Sequence, residues 1–304
     1  MICCRILDKR KTPLPLLYDF VFDRLRAVRQ DLVVQGYLEG YTGLKTVLVV
    51  KILEYCVRFY VYFQFRYLCL TCVLYCVNDT FIELLFFCRL AHLPPSVFSS
   101  HINQNHLDEC LSQILQLYSE IELKNQDLLH QTNYIEIEAL HLLLSRSPTS
   151  LHRAIQLPCK TKSHALVQKS IEINISLRLG NFVRANRIAQ DLPLSLQLAY
   201  RANFSHLRLK VLEVYERSHR SPQGSKFPLD KLARYLLFDS THETADFCID
   251  HGLFLDDTCS SVIFKTGTPL KPNASSKSNN VCNRLIEEQL NNVRISNLLY
   301  GQSI

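Results

Sequence analysis

The sequence predicts a mainly α-helical fold, an α-solenoid of helix pairs followed by a C-terminal winged helix with a small β-wing. Between residues 18 and 217, apolar side chains recur every three or four positions in successive segments that short polar turns separate, as in stacked helices. The 304 residues include only 8 Gly and 11 Pro, too few for the many turns of a β-sandwich or barrel. From residue 226 the pattern changes to helix, tight turn, helix and strand.

The first two predicted helices follow directly from their residues. Residues 18–35 contain no Pro, and their apolar side chains form one stripe at spacings of three and four. Residues 44–64 are apolar nearly all round, which indicates a buried helix. Further helices are predicted over 106–122, 134–144, 163–179 and 182–190, and one or two more over 194–217.

A glycine supports the prediction of paired helices. Gly180 lies between two of the predicted helices, and glycine readily adopts the left-handed conformation that ends a helix and lets the chain reverse. We therefore predict a helical-repeat domain over 13–217, without a strict repeat of fixed period.

The C-terminal part of the chain follows a different pattern. A linker of small and polar residues over 218–225 separates it from the helical array. The elements predicted after the linker are a helix over 229–238, a tight turn, a helix over 241–251 and a strand over 261–265. This order predicts a winged-helix domain over 226–268. The remainder, 269–304, is expected to be a flexible tail with a short helix over 284–299.

Positive charge is concentrated in the middle of the chain. The net charge is +6, but residues 141–235 carry 16 Lys and Arg against 5 Asp and Glu. Such a segment is expected to meet an anionic surface such as RNA; the alternative is a solvated basic face whose Arg stems cover apolar surface. The candidate nucleic-acid-binding residues are Arg178, Arg184, Arg187, Arg201, Arg208, Lys210, Arg217 and Arg220.

The most apolar segment, residues 44–93, is not expected to insert into a membrane. Charged residues interrupt its first half, and the longest stretch of its second half without charged or amide side chains covers residues 67–77. That stretch has about half of the ~20 residues that a spanning helix requires.

The 12 cysteines are expected to be reduced thiols, because no secretory signal is visible. Four thiolates suffice for zinc, and Cys69, Cys72, Cys76 and Cys88 are close in sequence, but their apolar neighbours favour buried inert thiols. We therefore expect no metal and no cofactor. No Gly-rich phosphate loop or nucleophile elbow is present, so we expect no enzymatic activity and no small-molecule substrate.

Four motifs carry a resemblance to a known family. They lie at residues 18–31, 101–103, 179–184 and 227–229, and the first reads YDFVFDRLRAVRQD. In this order they resemble the Sac-three/GANP family, whose large members include germinal-centre-associated nuclear protein. The resemblance covers about residues 13–265.

The resemblance implies a TPR/PCI-like helical layer followed by a PCI-type winged helix, in agreement with the pattern above. It also implies a scaffold: large members hold together the complex that couples transcription to mRNA export, and bind a second PCI protein partly through paired winged helices. A small paralogue is linked to centrosome duplication and spindle formation. Because the chain ends soon after its predicted winged helix, it resembles the small paralogue most.

Two departures from the family pattern are visible. The N-terminal Cys-Pro segment of the family is missing, so the start of the chain is expected to be truncated or misplaced. Residues 67–88 are 22 residues that the family does not have at this place, and they contain no Lys, Arg or Gly. Their end resembles a translated pyrimidine tract, and our hypothesis is an insertion that represents a retained intron.

Two sets of charged residues are candidates for binding a partner protein. The second helix of the predicted winged helix carries three acidic residues and no Lys or Arg, so phosphates would repel it and protein pairing is the favoured use. The first helix carries three arginines, whose alternative role is to pair with acidic groups on neighbouring helices. The candidate partner-binding residues are Arg24, Arg26, Arg29, Glu243, Asp246 and Asp250.

Taken together, these observations predict a non-enzymatic scaffold that binds a PCI-domain protein. The first hypothesis places it in centrosome duplication and mitotic spindle assembly, in the nucleus and cytoplasm and at the centrosome or spindle. The alternative is a nuclear scaffold for transcription-coupled mRNA export that contacts RNA through residues 141–235. The missing extensions favour the first hypothesis, and the basic middle favours the second.

Overall fold

The structure, a computed structural model, is mainly helical and contains one three-stranded antiparallel sheet. It describes residues 14–38, 43–76, 98–145, 148–204, 207–267, 270–271 and 284–301. The prediction of a mainly α-helical chain with a small β-element is thereby confirmed at the level of secondary structure.

Ten α-helices and one 3₁₀-helix lie between residues 14 and 219 of the described chain. Their bounds are α1 Leu14–Val34, α2 Leu44–Cys76, α3 Ser100–Lys124, the 3₁₀-helix Gln126–Gln131, α4 Tyr134–Leu144, α5 Pro148–Gln156, α6 Cys159–Lys162, α7 Ala165–Arg178, α8 Phe182–Ala189, α9 Leu194–Phe204 and α10 Arg208–His219. All the helices predicted in this region are present. The 3₁₀-helix, α5 and α6 were not predicted, because each is too short to repeat its apolar spacing.

Helix α2 is the central element of the first layer. As predicted, its middle is buried on all sides, with Val57, Phe59 and Tyr60 fully inaccessible to solvent. It packs against α1, α3 and α9. It also continues to Cys76, well beyond the predicted end at residue 64, and therefore includes the start of the proposed insertion. Residues 77–88 of that insertion lie outside the described residues.

Two charged residues of α2 are buried together and organise the elements around them. The Glu54 carboxylate accepts hydrogen bonds from the Tyr118 hydroxyl of α3 and from the backbone N–H and the side-chain amide of Asn133, each at 2.7 Å. Arg58, 3% exposed, donates from Nη2 to Glu136 of α4 at 2.6 Å. The other oxygen of Glu136 accepts from Ser195 of α9 at 2.7 Å.

Burial also controls the ionisation of this network. Desolvation, followed by the negative charge of Glu54, raises the pKa of the Tyr118 phenol well above its ordinary value. The Tyr118 phenol therefore remains protonated at neutral pH and donates its hydrogen to the Glu54 carboxylate.

A second buried ion pair positions α5. Glu138 on α4 is almost inaccessible and accepts from Arg153 Nη2 on α5 at 2.5 Å. Desolvation raises the pKa of Glu138, and the hydrogen bond and charge of Arg153 oppose that rise. A buried carboxylate needs such a partner, so this pair fixes α5 against α4.

The predicted hairpin of α7 and α8 is present. Gly180 has a φ of 73°, and the backbone N–H of Asn181 donates to Ser176 at 2.8 Å, which closes the end of α7. The Asn181 side chain then accepts from the backbone of Arg184 and caps the start of α8.

Residues 221–267 form two helices and the sheet. Their bounds are β1 Ser225–Pro228, α11 Leu229–Leu236, α12 Thr241–Asp250, β2 Phe254–Leu255 and β3 Ser261–Phe264. The sheet order is β1-β3-β2, and both pairings are antiparallel. The predicted linker over 218–225 is more ordered than expected, because Ser221 bridges Lys265 and Ser225 pairs with Phe264.

The end of the chain differs from the predicted flexible tail. Residues 284–301 form two helices, α13 Arg284–Asn292 and α14 Ile295–Tyr300, where one was predicted. Ile286, Leu290 and Leu299 are buried, and α14 packs against α2. The polar composition of the preceding segment gave no indication of this contact, because its partners are more than 200 residues away in sequence.

Replacing Glu54 with leucine is expected to lower the free energy of unfolding by about 3–5 kcal/mol. The substitution leaves Arg58 with a weaker set of partners and removes the acceptor of Tyr118 and Asn133. Urea unfolding followed by circular dichroism measures the change. The control is Asp127→Leu at an exposed carboxylate, for which a change within about 1 kcal/mol is expected. Equal effects of the two substitutions would contradict the central role of Glu54.

Candidate protein-interaction site

The turn between α11 and α12 determines how the second of these helices is presented. Leu237 lies in the left-handed region with a φ of 57°, which is rare for a residue with a branched side chain. Ser240 then caps α12, because its Oγ accepts from the backbone N–H of Glu243 at 3.1 Å. The two helices are thereby joined by a tight turn, as the sequence predicted.

Arg208 of α10 stabilises this turn by hydrogen bonds to its backbone. Its guanidinium donates to the carbonyl oxygens of Leu236 and Leu237 at 2.8 and 3.1 Å, and its Cζ lies 3.9 Å from the centre of the Phe238 ring. The cation lies at the C-terminal end of α11, where the helix dipole favours positive charge. Arg208 is 2% exposed, so its prediction as a nucleic-acid-binding residue is wrong.

An apolar core supports α12 from the side of the turn. The Phe238 and Phe247 rings lie 5.3 Å apart, and Thr244 and Cys248 are fully buried. Burial raises the pKa of the Cys248 thiol to about 12, which makes it an inert packing group at neutral pH. The opposite side of α12 is therefore the side available to a partner.

The outer surface of α12 combines acidic and apolar side chains. Glu243, Asp246 and Asp250 lie three and four residues apart and therefore share one face of the helix, on which Asp246 is exposed and the other two are half-buried. Ile249 is 53% exposed, and Phe254 of the adjoining strand β2 is 60% exposed. We call these five residues the α12–β2 face. Exposed apolar side chains with a charged surround are typical of protein-interaction surfaces.

Sequence reasoning found the acidic part of this face and missed its apolar part. No sequence pattern marked Phe254 as exposed, because Leu253, Phe254 and Leu255 are all apolar and only the structure shows that Leu253 is buried while Phe254 is not. Two exposed basic residues of α11, Lys231 and Arg234, were also missed, although both lie in the basic segment 141–235.

The three arginines of α1 have different environments. Arg29 is buried, and it donates to Glu109 at 2.7 Å and contacts His106 at 3.1 Å, both on α3. Its prediction as a partner-binding residue is therefore corrected, since the alternative role of pairing with a neighbouring helix applies. The hydrogen bond from Arg29 also lowers the pKa of Glu109. Arg24 and Arg26 are exposed, and Arg24 lies over the Phe20 ring.

The predicted nucleic-acid-binding residues lie on four successive helices and the residue after the last of them. Arg178 is on α7, Arg184 and Arg187 on α8, Arg201 on α9, Arg208, Lys210 and Arg217 on α10, and Arg220 follows α10. Arg187 and Lys210 are exposed, while Arg201 is half-buried. The spacing of seven residues places Lys210 and Arg217 on the same side of α10.

Several of these cations already have partners within the chain. Arg184 pairs with Glu172 at 2.5 Å, and Arg178 donates to Asn174 at 2.8 Å. Arg217 and Arg220 lie close to Glu213 and Glu216 on the same helix turns, at 3.9 and 3.8 Å. Such exposed pairs contribute little to stability and exchange readily with other partners. All four side chains remain exposed.

The described residues contain neither a candidate membrane span nor a candidate metal-binding group. No helix in the described ranges has both the length and the apolar character that a membrane span requires. Nor do the described His, Cys, Asp and Glu side chains gather into a group of three or more that is suited to hold a metal ion.

A mainly helical chain that exposes acidic and apolar side chains on one face has a surface of the class that binds other proteins. The chain belongs to the SAC3/GANP family, whose model matches residues 1–72 and 67–257. The family resemblance seen in the four motifs is therefore confirmed. The chain is also 27% identical over 258 residues to Protein xmas of Drosophila melanogaster. That match covers 83% of this chain and 11% of the relative, so the chain spans about a ninth of its length.

Replacing Arg208 with methionine is expected to cost about 2–4 kcal/mol, because two buried carbonyl oxygens lose their donors while the apolar packing of the stem is kept. Urea unfolding measures the loss. The matched control is Arg217→Met, whose side chain is 72% exposed, and a change within about 0.5 kcal/mol is expected for it. A stable Arg208→Met protein would contradict the role of Arg208 in holding the turn.

Proposed function

We propose that this chain is a scaffold that joins a PCI-domain protein to the machinery of nuclear mRNA export. The single observation that carries the proposal is the α12–β2 face on a member of the SAC3/GANP family. In this proposal, residues 13–217 are a PCI-like solenoid and residues 226–268 are a PCI-type winged helix. No enzymatic activity, cofactor or small-molecule substrate is part of the proposal.

The chemistry of α12 favours a protein over DNA as its ligand. The DNA phosphates would repel the three carboxylates of α12. Contact with a protein would instead bury the exposed apolar side chains of Ile249 and Phe254, which is favourable. A partner surface with one or two basic groups around an apolar centre fits this face. Arg24 and Arg26 on α1 are a second, smaller candidate for partner contact.

RNA contact is proposed for the exposed cations of α8, α10 and α11. Arg187, Lys210, Lys231 and Arg234 are exposed, and the pairs of Arg217 and Arg220 with glutamates can open to admit phosphate. Arg178, Arg184 and Arg201 belong to the same proposal with weaker support, since the first two already have partners and the third is half-buried.

The insertion at residues 67–88 remains a proposal with one supporting observation. The two segments that match the family model overlap at residues 67–72, so the match is divided at the start of this window, and the second segment also covers the rest of it. A spliced transcript that encodes all 22 residues would remove the intron hypothesis.

A role at the centrosome or spindle is the second candidate function, and it uses the same partner-binding face. Imaging of a tagged chain through the cell cycle separates the two candidates. Export predicts a nuclear and nuclear-envelope signal in interphase, whereas the other role predicts a signal at spindle poles in mitosis.

Replacing both Ile249 and Phe254 with aspartate is expected to reduce recovery of a PCI-domain partner in co-purification at least about tenfold, because charge is placed in the apolar centre of the contact. The control is Leu123→Asp, an exposed apolar residue of α3, which is expected to leave recovery unchanged. Circular dichroism checks that both variants are folded. Equal recovery with all three proteins would exclude the α12–β2 face as the contact.

Replacing Lys210 and Arg187 with alanine is expected to weaken RNA binding. The slope of the logarithm of the binding constant against the logarithm of the salt concentration is expected to become shallower by about one or two. Filter binding over a range of salt concentrations measures the slope. Lys51→Ala, at an exposed cation of α2, serves as the control. A slope near zero for the unaltered chain would mean that this surface binds no phosphate backbone.

A further inference from the structure

Helix α1 buries one of its faces and exposes another. Leu17, Val21 and Leu25 are at most 7% exposed and belong to the core. On the other side of the helix, Phe20 is 41% exposed and Val34 is 85% exposed. Apolar side chains left in water along an outer helix face indicate a surface that gains from being covered.

The exposed face has the spacing of a helix-pairing surface. Phe20, Arg24, Ala27, Asp31 and Val34 are all exposed, and they follow one another at intervals of four and three residues. An average spacing of 3.5 residues places side chains along one line of a helix, the arrangement through which two helices pair. We call these five residues the α1 stripe.

The order of residues in the α1 stripe is nearly the same from both ends. It places an apolar residue at each end, a small residue in the middle, and one charge on each side of the middle. A second α1 helix that runs antiparallel and is aligned at Ala27 therefore has Val34 opposite Phe20. Asp31 then lies within one residue of the level of Arg24, about 1.5 Å along the axis.

The two charges of the stripe have no ion-pair partner in the described part of this chain. The ion pairs there are formed by other side chains. Arg24 lies over the Phe20 ring instead, with its Cζ 5.5 Å from the ring centre. Seven residues, or about 10 Å along the helix, separate Arg24 from Asp31, too far for a direct pair.

We propose that the α1 stripe is a self-association surface, through which two copies of this chain pair by antiparallel α1 helices about a two-fold axis at Ala27. The interface is isologous, so the contact between Arg24 and Asp31 occurs twice. Charge complementarity selects the antiparallel direction, because a parallel pair places each charge against its own kind. The small Ala27 side chain lets the two helices approach closely at the axis.

The dimer names the partner of the smaller contact surface on α1 and is separate from the α12–β2 face. The stripe from Phe20 to Val34 spans about 21 Å of helix, so the contact is smaller than a standard interface and a dissociation constant in the micromolar range is expected. A dimer presents two α12–β2 faces at once, which strengthens binding to a partner that is itself multivalent.

Sedimentation equilibrium of the full chain, from about 1 to 200 µM, tests the proposal. The unaltered chain is expected to show a reversible monomer–dimer equilibrium. Arg24→Asp and Asp31→Arg each place like charges at both contacts, so each is expected to weaken association at least about tenfold. The double variant exchanges the two charges and is expected to associate within about threefold of the unaltered chain.

A mixture of the two single variants gives the sharpest result. An equimolar mixture of Arg24→Asp and Asp31→Arg chains has opposite charges at both contacts, so a heterodimer is expected although each variant alone is monomeric. A fluorescent label on one variant measures this association. The control is Arg26→Asp, the same charge change at an exposed position of α1 outside the stripe, for which a change within about threefold is expected. Circular dichroism checks that every variant is folded.

Three results would overturn the proposal. The first is an unaltered chain that remains monomeric at the highest concentration, and the second is equal association of the Arg24→Asp and unaltered chains. The third is failure of both the double variant and the mixture to recover association that the single variants have lost. Recovery of a PCI-domain partner by Ile249 and Phe254 is measured separately, so failure of the dimer leaves that proposal intact.

Discussion

The rest of the helical layer depends on how α2 satisfies the charges of Glu54 and Arg58. Both side chains are almost fully buried in the mainly apolar middle of the helix, and desolvation would cost several kcal/mol for each without partners. Their partners come from α3, the start of α4 and the end of α14, and Glu136 extends the network to Ser195 of α9. One helix therefore fixes the positions of four others through polar contacts, and apolar packing fills the space between them.

The same principle operates a second time at the α12–β2 face. Arg208 is buried, and its charge is used to satisfy two carbonyl oxygens of a turn that contains a strained leucine. The turn sets the direction of α12, so a buried cation in the helical layer controls a surface that a partner would bind. The mechanical link between the layer and the face runs through α10, which carries Arg208 at its first position.

Most helices could be predicted from the sequence, because each long helix buries one face and repeats its apolar spacing several times. The elements that were missed are short, such as α6, or depend on a distant partner: β1 pairs with β3, whose residues lie more than 30 positions away. Side-chain roles were less predictable. Arg29 and Arg208 look like surface cations in sequence, and only the positions of Glu109 and of the Leu236 carbonyl make them internal. The acidic half of the α12–β2 face was predicted because helical spacing suffices to place it.

Because some arginines of the basic segment 141–235 have partners inside the fold, fewer of its positive charges are available to a ligand. Within residues 141–235, Arg208 is buried and donates to the carbonyl oxygens of a turn, and Arg153 pairs with Glu138. The positive charge available at the surface is therefore smaller than the composition indicates. The exposed cations Lys231 and Arg234 lie on α11, and the carboxylates lie on α12. Because one rigid turn joins these helices, an anionic ligand at α11 would be kept away from α12 by repulsion. Under the proposed function, an RNA and a basic protein partner would therefore occupy different surfaces.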